Sequence, residues 1–167
     1  MQNYNKAHPG PFDIRYFPAY LCHMDAIYGL AQTPQVAAAL WARGKQHKVW
    51  AIHAPMGAGK TTLLRALGQH LGIPDAMGSP SFSIVNEYHS PTAGTIYHMD
   101  WYRLKNVEEA IDAGVEDLLA SGAPCWVEWP EQAPGLLGDD VWHLHLEILD
   151  EATRRLFVET PDSAQNP

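Results

Sequence analysis

Apolar and polar positions change their spacing near the middle of this chain, and the change predicts a strand followed by a helix. Val49–Ile52 is an apolar run of the length of a buried strand. The leucines of the next segment recur at the spacing of one helix face: Leu63, Leu64, Leu67 and Leu71. The pattern predicts a helix from Thr61 to Leu71 that Gly72 ends.

Another helix is predicted upstream of this strand. Thr33 and Pro34 are typical of an N-cap and a first helical position, and Gly44 is typical of a helix end. One face between them is apolar: Val36, Ala37, Leu40 and Trp41. A short strand around His23–Leu30 is predicted before this helix.

Alternating apolar and polar residues predict two antiparallel hairpins. Ser81–Tyr88 and Thr95–Asp100 are predicted strands, and the turn residues Ser90–Gly94 connect them. Near the C-terminus Trp142–Ile148 alternates in the same way, and Arg154–Thr160 is its predicted partner.

Between the hairpins the pattern predicts one more helix and one more strand. Residues 107–119 place their apolar side chains on one face: Ile111, Val115, Leu118 and Leu119. Cys125–Trp129 is typical of a short buried strand and holds one acid, Glu128.

Length and composition indicate a single domain. The chain has 167 residues, of which 46% are hydrophobic, enough to bury a core of its own. We expect the domain to span residues 20–160. Residues 1–19 mix proline, glycine, asparagine and aromatic residues without a period, as in an extended or partly disordered arm, and residues 161–167 are expected to form a loose tail.

The net charge excludes one large class of function. At -8, it argues against an extended nucleic-acid footprint, because phosphate backbones are bound mainly by clustered lysine and arginine. The apolar runs are far shorter than a membrane span, and the N-terminus lacks the apolar segment of a signal peptide. We expect a cytoplasmic protein that binds neither DNA nor a membrane and that meets RNA only through a partner.

The residues between the central strand and its helix match the phosphate-binding loop pattern, except that Ala54 stands where the first glycine is usual: Ala54-Pro55-Met56-Gly57-Ala58-Gly59-Lys60-Thr61-Thr62. Gly57 and Gly59 let backbone N–H groups converge on phosphate oxygens at a helix N-terminus. Lys60 would spread charge from the transferring phosphoryl group, and Thr61 offers a Mg²⁺ ligand. The alternative is a glycine-rich turn that only caps a helix, but the order of strand, loop and helix favours a nucleotide site.

Two acids are candidates for the chemistry at this loop. Asp100 ends a predicted strand, where a carboxylate would face the phosphate loop. Glu128 lies between Trp126 and Trp129, where an ionisable group is costly to bury unless it is paired, hydrogen-bonded or near a metal. One acid would hold the metal and the other would orient the attacking water, and the sequence does not divide these roles.

Three further segments follow the loop in order: Ser79-Pro80-Ser81-Phe82, His98-Met99-Asp100-Trp101-Tyr102-Arg103-Leu104 and Glu128-Trp129. Together with the loop they resemble the motifs of the bacterial tRNA threonylcarbamoyladenosine biosynthesis ATPases of the TsaE family, also called YjeE. The motifs of that family are Gly-Asp-Leu-Gly-Ala-Gly-Lys-Thr-Thr, Ser-Pro-Thr followed by Phe or Tyr, His-x-Asp-x-Tyr-Arg-Leu, and Glu-Trp. The combination is specific, although the loop alone occurs in many families. The similarity covers about residues 25–160, with Pro55 in place of the family's aspartate and Ser81 in place of its threonine.

The resemblance implies an α/β, single-domain P-loop NTPase-like fold. Its mixed central sheet would include antiparallel hairpins, consistent with the hairpins predicted above, and would be flanked by helices. It also implies ATP, ADP and Mg²⁺ as ligands and slow ATP hydrolysis by the protein alone. The TsaD and TsaB proteins are the implied partners in placing a threonylcarbamoyl group on the adenosine beside certain tRNA anticodons. Contact with tRNA would be indirect, through that complex.

The resemblance also assigns roles to residues. Thr61 and Glu128 match the Mg²⁺ positions, and Asp100 matches a catalytic or metal-ordering acid that would act with Lys60. The implied nucleotide contacts are Thr33, Met56, Gly57, Ala58, Gly59, Lys60, Thr61, Thr62 and Arg155. The switch-like loop comprises Ser79, Pro80, Ser81 and Phe82, and the remaining motif residues are His98, Tyr102, Arg103 and Trp129.

Two other functions would use the same loop. A small-molecule kinase needs an acceptor pocket, usually under a lid that supplies arginines, and only Arg103 lies near the motifs. A nucleotide-sensing interaction module would bind ATP without useful hydrolysis. Variants that bind ATP but do not hydrolyse it separate a sensor from an ATPase, because a sensor would still support its partners.

Overall fold

The computed structural model describes residues 13–14, 24–74, 77–80 and 83–159. Its strands and α-helices are, in chain order, β1 (Asp13–Ile14), β2 (Asp25–Gly29), α1 (Thr33–Gly44), β3 (Val49–His53), α2 (Lys60–His70), β4 (Val85–Ser90), β5 (Gly94–Asp100), α3 (Val107–Asp112), α4 (Val115–Ala120), β6 (Cys125–Glu128), β7 (Val141–Ile148) and β8 (Thr153–Glu159). Short 3-10 helices occupy Leu30–Gln32, Pro130–Gln132 and Pro134–Leu136. None of the helices in these ranges is long and apolar enough to cross a membrane.

The eight strands form one mixed sheet in the order β1-β2-β8-β7-β3-β6-β5-β4. The central strand β3 is parallel to both β7 and β6, and β6 is parallel to β5. The hairpins β4–β5 and β7–β8 are antiparallel, and with them the predicted mixed α/β sheet is confirmed. Because β3, β5 and β6 run the same way, their carboxyl ends meet at one edge of the sheet, which is where α/β sheets usually bind ligands.

Helices cover both faces of this sheet. Alternate residues of a strand point to opposite faces, so Trp126 packs in the core under α1 and α2, whereas Val127 and Met99 pack in a second core with α3 and α4. Asp100 and Glu128 have the same parity along their strands as Trp126. Both acids therefore lie on the face that α2 covers, at the edge where that helix begins.

The start of α1 differs from the prediction. Gln32 is the N-cap, and Thr33 is already the first residue of the helix. The Thr33 hydroxyl donates a hydrogen bond of 2.8 Å to the carbonyl of Leu30, whereas an N-cap side chain accepts one from a backbone N–H. The N-cap prediction for Thr33 is wrong because the preceding 3-10 turn leads directly into the helix.

The helix predicted over residues 107–119 is two short helices. α3 begins after Asn106, whose side chain accepts a hydrogen bond of 3.0 Å from the Glu109 N–H, and the chain turns at Gly114, where φ is 75°. Val115 is buried as predicted. Ile111 is 43% exposed, contrary to the prediction that it faces the core, because α3 ends one residue after it and its face does not continue into α4.

The strand predicted from Ser81 begins only at Val85. Ile84 adopts a left-handed conformation with φ of 63°, which a strand does not allow, and it directly precedes the first paired residue. Ser81 and Phe82 lie outside the described residues. The predicted tail lies outside them as well, and of the predicted arm only Asp13–Ile14 is described, paired with β2.

Gly44 lets the ring of Trp142 approach the backbone of α1. A Cβ at this position would lie 2.1 Å from Cζ3 of Trp142, which is buried and packs edge-on against Trp50. We therefore expect Gly44→Ala to lower the free energy of unfolding by about 1–3 kcal/mol, although alanine favours helices, because the ring must move. Denaturant unfolding measures the change.

The matched control is Gly138→Ala, since a Cβ there meets no atom within 4 Å. It should leave the unfolding midpoint unchanged. Equal stability of the two variants would contradict the close packing of Trp142 on α1.

Candidate functional site

The loop between β3 and α2 bends at two glycines. Gly57 and Gly59 have φ values of 77° and 100°, a region that side chains disfavour. Ala58 N–H donates to the Pro55 carbonyl at 3.2 Å, which closes the turn. Ala54 packs against the core under α1 and α2 and is not among the residues with positive φ. The glycine that is usual at this position is therefore not required by the backbone.

A cavity of about 460 Å³ opens beside this loop. Its size lies within the range of small-molecule sites. The lining residues come from the loop, from α2 and from the ends of β5 and β6: Met56, Gly57, Gly59, Lys60, Thr61, Thr62, Ser79, Asp100, Tyr102, Arg103, Glu128 and Trp129. The structure thus gathers residues from all four predicted motifs around one space.

Lys60 begins α2 and is only 6% exposed. Its Nζ donates to the carbonyls of Ala54 at 2.9 Å and Pro55 at 3.2 Å, and it lies 3.8 Å from the centroid of the Trp129 ring. Burial lowers the pKa of Lys60, and nearby carboxylates oppose that shift. The ammonium group is thus hydrogen-bonded to the loop between β3 and α2.

The two predicted acids are neighbours on adjacent parallel strands. Asp100 of β5 pairs in register with Glu128 of β6, at the ends of both strands. Glu128 is 2% exposed, and one of its oxygens, Oε1, accepts hydrogen bonds from Thr61 Oγ1 at 3.1 Å and His98 Nε2 at 2.8 Å. The start of α2 and the end of β6 are therefore joined through one carboxylate.

Asp100 is tied to the segment that the sequence identifies as a switch-like loop. Ser79 Oγ donates to its Oδ2, and the Tyr102 N–H donates to its Oδ1 at 3.0 Å. The Asp100 N–H in turn donates to the carbonyl of Ile84 at 2.9 Å. Asp100 therefore contacts residues on both sides of Ser81 and Phe82.

Trp129 closes the cavity beside Lys60. It follows Glu128 with a φ of 59°, and its ring lies 4.9 Å from that of Tyr102, centroid to centroid. A non-glycine residue in this conformation costs of order 1–3 kcal/mol and is common at functional sites. The turn aims the indole at the Lys60 ammonium instead of continuing the strand.

Three predicted nucleotide contacts are not among the residues that line the cavity: Thr33, Ala58 and Arg155. Ala58 belongs to the loop but its side chain is buried. Thr33 is buried at the start of α1 and is not among the lining residues. Arg155 lies on the opposite face of the sheet, where its guanidinium forms two hydrogen bonds with Asp25, at 2.9 and 2.8 Å, and approaches Glu147 at 3.4 Å. The pKa of Arg155 is raised, first by these hydrogen bonds to Asp25.

Its neighbour Arg154 is the residue that reaches the loop. Arg154 Nε donates to the Ala58 carbonyl at 3.0 Å, and Nη1 donates to the Asp150 carbonyl at 2.8 Å, at the β7–β8 turn. The sequence holds the signal that distinguishes the two arginines. Arg154 has the parity of the buried residues Leu156 and Val158, so the alternation of β8 places it on the same face as α2.

Thr61 and Glu128 could hold a divalent cation. A hydroxyl and a carboxylate 3.1 Å apart are oxygen donors of the kind Mg²⁺ prefers. No group of three His, Cys, Asp or Glu side chains in the described ranges is arranged to bind a metal without other ligands. Mg²⁺ usually keeps several waters and phosphate oxygens besides one or two protein ligands, so two protein oxygens are enough to hold it.

Residues 27–156 match the sequence model of the family described as Threonylcarbamoyl adenosine biosynthesis protein TsaE. The chain belongs to the TsaE family. The protein named tRNA threonylcarbamoyladenosine biosynthesis protein TsaE in Haemophilus influenzae is 35% identical over 116 residues, which cover 69% of this chain and 72% of that one. Its namesake in Treponema pallidum is 30% identical over 114 residues, which cover 68% of this chain and 83% of that one.

A solved structure agrees with the architecture. The crystal structure of YdiB from Bacillus subtilis superimposes with a TM-score of 0.66 and covers 81% of this chain and 84% of its own. At 23% identity this likeness concerns the fold alone. Family membership places the chain among proteins of threonylcarbamoyladenosine biosynthesis, a tRNA modification.

Proposed function

We propose that this TsaE protein is a Mg²⁺-dependent ATPase of the cytoplasm that supports the TsaD and TsaB proteins in modifying tRNA. The observation that carries the proposal is the gathering of Lys60, Thr61, Asp100 and Glu128 around one cavity at the start of α2. These are a cation, a hydroxyl and two carboxylates, the groups that phosphoryl transfer uses for positioning and charge stabilisation. tRNA would contact the partners and not this acidic chain.

The loop and α2 would bind the phosphates. Backbone N–H groups at a helix N-terminus favour anions, and Gly57 and Gly59 give the loop the curvature that turns such groups inward. Lys60 would leave the carbonyls of Ala54 and Pro55 for the β- and γ-phosphates. Phosphate oxygens carry negative charge, so they would form stronger hydrogen bonds with the ammonium group than these carbonyls do.

Thr61 and Glu128 would hold Mg²⁺, which when bound supplies positive charge to the terminal phosphates. Glu128 suits this role because it already contacts the Thr61 hydroxyl and is buried. Asp100 would orient the attacking water. It lines the cavity beside Glu128 and is held by Ser79, so a movement of the switch-like loop would also move this acid.

In other nucleotide hydrolases a partner protein can supply an arginine that stabilises the transition state. A similar need would explain a low rate of ATP hydrolysis by this chain alone. Arg103 lines the cavity, but Arg154 is engaged by the Ala58 and Asp150 carbonyls. A cation supplied by another protein, or a reordered loop, would complete the charge stabilisation. We therefore expect hydrolysis to depend on partners.

Hydrolysis of ATP by the pure protein, alone and with its cognate TsaD and TsaB, tests the proposal. We expect slow Mg²⁺-dependent turnover alone and faster turnover in the mixture, with none from the partners without this chain. If adding TsaD and TsaB left the rate of ATP hydrolysis unchanged, the proposed partnership would be refuted. Absence of ATP binding would refute the nucleotide site, and phosphorylation of a nucleoside or sugar in place of water would indicate a kinase.

The two adjacent arginines offer a matched pair of variants. Arg154→Ala removes a hydrogen bond to the loop carbonyl of Ala58, so we expect ADP affinity to fall roughly fivefold, the equivalent of about 1 kcal/mol. Arg155→Ala removes the same charge from the far face and should change ADP affinity less than twofold. Calorimetry measures both, and a larger loss for Arg155→Ala would contradict the assignment.

A further inference from the structure

His98 is a buried histidine whose described hydrogen bond is to the acid at the centre of the site. It lies on β5, two residues before Asp100 and on the same face of the sheet, and it is 1% exposed. Its Nε2 is 2.8 Å from Glu128 Oε1. Its other ring nitrogen, Nδ1, is buried without a hydrogen-bond partner among the described residues.

The carboxylate determines which ring nitrogen donates. An ionised carboxylate only accepts hydrogen bonds, so Nε2 of His98 is the donor to Glu128. Nδ1 is buried with no hydrogen-bond partner among the described residues. Burying that nitrogen costs free energy, and buried polar pairs are often no more stabilising than apolar residues of similar volume. Stability alone therefore does not account for His98.

The pattern of donors on Glu128 suggests what the pair accomplishes. Oε1 receives both His98 at 2.8 Å and Thr61 at 3.1 Å, whereas Oε2 has only a longer contact of 3.4 Å with the Thr61 hydroxyl. Under the proposed function, Thr61 gives its hydroxyl oxygen to the metal. His98 would then be the described side chain that still holds the carboxylate.

We propose that His98 is a positioning residue: its Nε2–H holds Glu128 Oε1, so that Oε2 is the oxygen that Glu128 offers to the metal. The inference rests on the proposed function and deepens it. Hydrogen bonds of this kind, behind a metal ligand, typically change metal affinity or activity by roughly 10- to 100-fold when they are removed. The effect should appear in the Mg²⁺ dependence of nucleotide binding and not in nucleotide binding itself.

Two substitutions of similar polarity test whether the hydrogen bond to Glu128 is required, or only a polar side chain at position 98. His98→Gln can place its amide N–H near the position of Nε2, whereas His98→Asn ends near the position of Nδ1 and is too short to reach Glu128. We expect His98→Asn to raise the Mg²⁺ concentration required for tight ADP binding by roughly 10- to 100-fold, with ADP affinity in EDTA changed less than twofold. His98→Gln should recover most of the loss.

Nitrogen-15 NMR of the histidine rings gives a second readout that requires no turnover. The nucleotide-free wild-type protein should show a hydrogen on Nε2 of His98, and Glu128→Gln should shift that Nε2 signal more than any other histidine signal. An Nδ1–H tautomer would overturn the inference, even if neither His98 variant folded. Equal Mg²⁺ dependence of wild type, His98→Asn and His98→Gln would also overturn it.

The proposed function and the role of His98 would be refuted by different results. If wild-type protein binds ADP with no influence of Mg²⁺, the proposed function is wrong and this inference falls with it. If wild type shows Mg²⁺-dependent binding but His98→Asn matches it, the proposed function stands and only the role of His98 is refuted.

Discussion

Lys60→Ala is expected to lower the rate of ATP hydrolysis by roughly 100- to 1,000-fold, the range for loss of one donor that stabilises transition-state charge. It should also weaken ATP binding by roughly 10- to 100-fold, because a charge-assisted hydrogen bond contributes about 1.5–3 kcal/mol. The fold should tolerate the change. The ammonium contacts two loop carbonyls and the face of Trp129, and its removal also removes a buried charge.

Lys48→Ala is the matched control for this experiment. It removes the same charge from an exposed lysine just before β3, at the end of that strand opposite to the loop. Calorimetry and phosphate release on both variants separate a local role from a loss of net charge. Hydrolysis at the wild-type rate by Lys60→Ala would refute the proposed mechanism.

Glu128→Gln is expected to slow turnover by roughly 100-fold or more while ADP affinity in EDTA stays within about threefold. The amide has the shape of the carboxylate, and its oxygen still accepts from His98 Nε2, so the buried side chain keeps a partner. What is lost is the negative charge that would hold Mg²⁺ with Thr61. Turnover measured across a Mg²⁺ titration should show that excess metal restores only part of the rate.

The control is Glu116→Gln, which neutralises an exposed acid in the first turn of α4. It should leave turnover and Mg²⁺ dependence unchanged. If Glu128→Gln hydrolysed ATP normally, then Asp100 alone would have to serve the metal. If it lost ADP binding in EDTA, the carboxylate would be structural and not a metal ligand.

Most of the strands and helices could be predicted because the local spacing of apolar residues indicates them. The strand and helix around the loop, both hairpins and the strand that ends at Glu128 lie within a few residues of their predicted places. A spacing of two residues or of 3.6 residues between apolar positions reflects which face of a strand or helix is buried, so it predicts these elements well. The break at Gly114 was missed because α3 and α4 together imitate the pattern of one longer helix.

The differences between the predicted and the observed placement of residues have both local and long-range causes. Thr33 has the composition of an N-cap, but its role depends on the Leu30 carbonyl, which a preceding 3-10 turn presents. Arg154 reaches the loop and Arg155 pairs with Asp25, a difference that follows from the alternation of β8. The pairing of His98 with Glu128 joins positions 30 residues apart, and only the parallel register of β5 and β6 brings them together.

Ile84 and Trp129 are the two non-glycine residues that hold left-handed backbone in the part of the chain described. Asparagine adopts that conformation more readily than isoleucine or tryptophan, because its short side chain tolerates it. Ile84 also packs against the second core, so asparagine there would lose apolar contacts as it relieves the backbone, and a screen for heat resistance should find little gain at position 84. Trp129 packs against the same core, and asparagine in its place would also remove the indole that lies over the Lys60 ammonium, so the replacement would cost both packing and a contact of the proposed site.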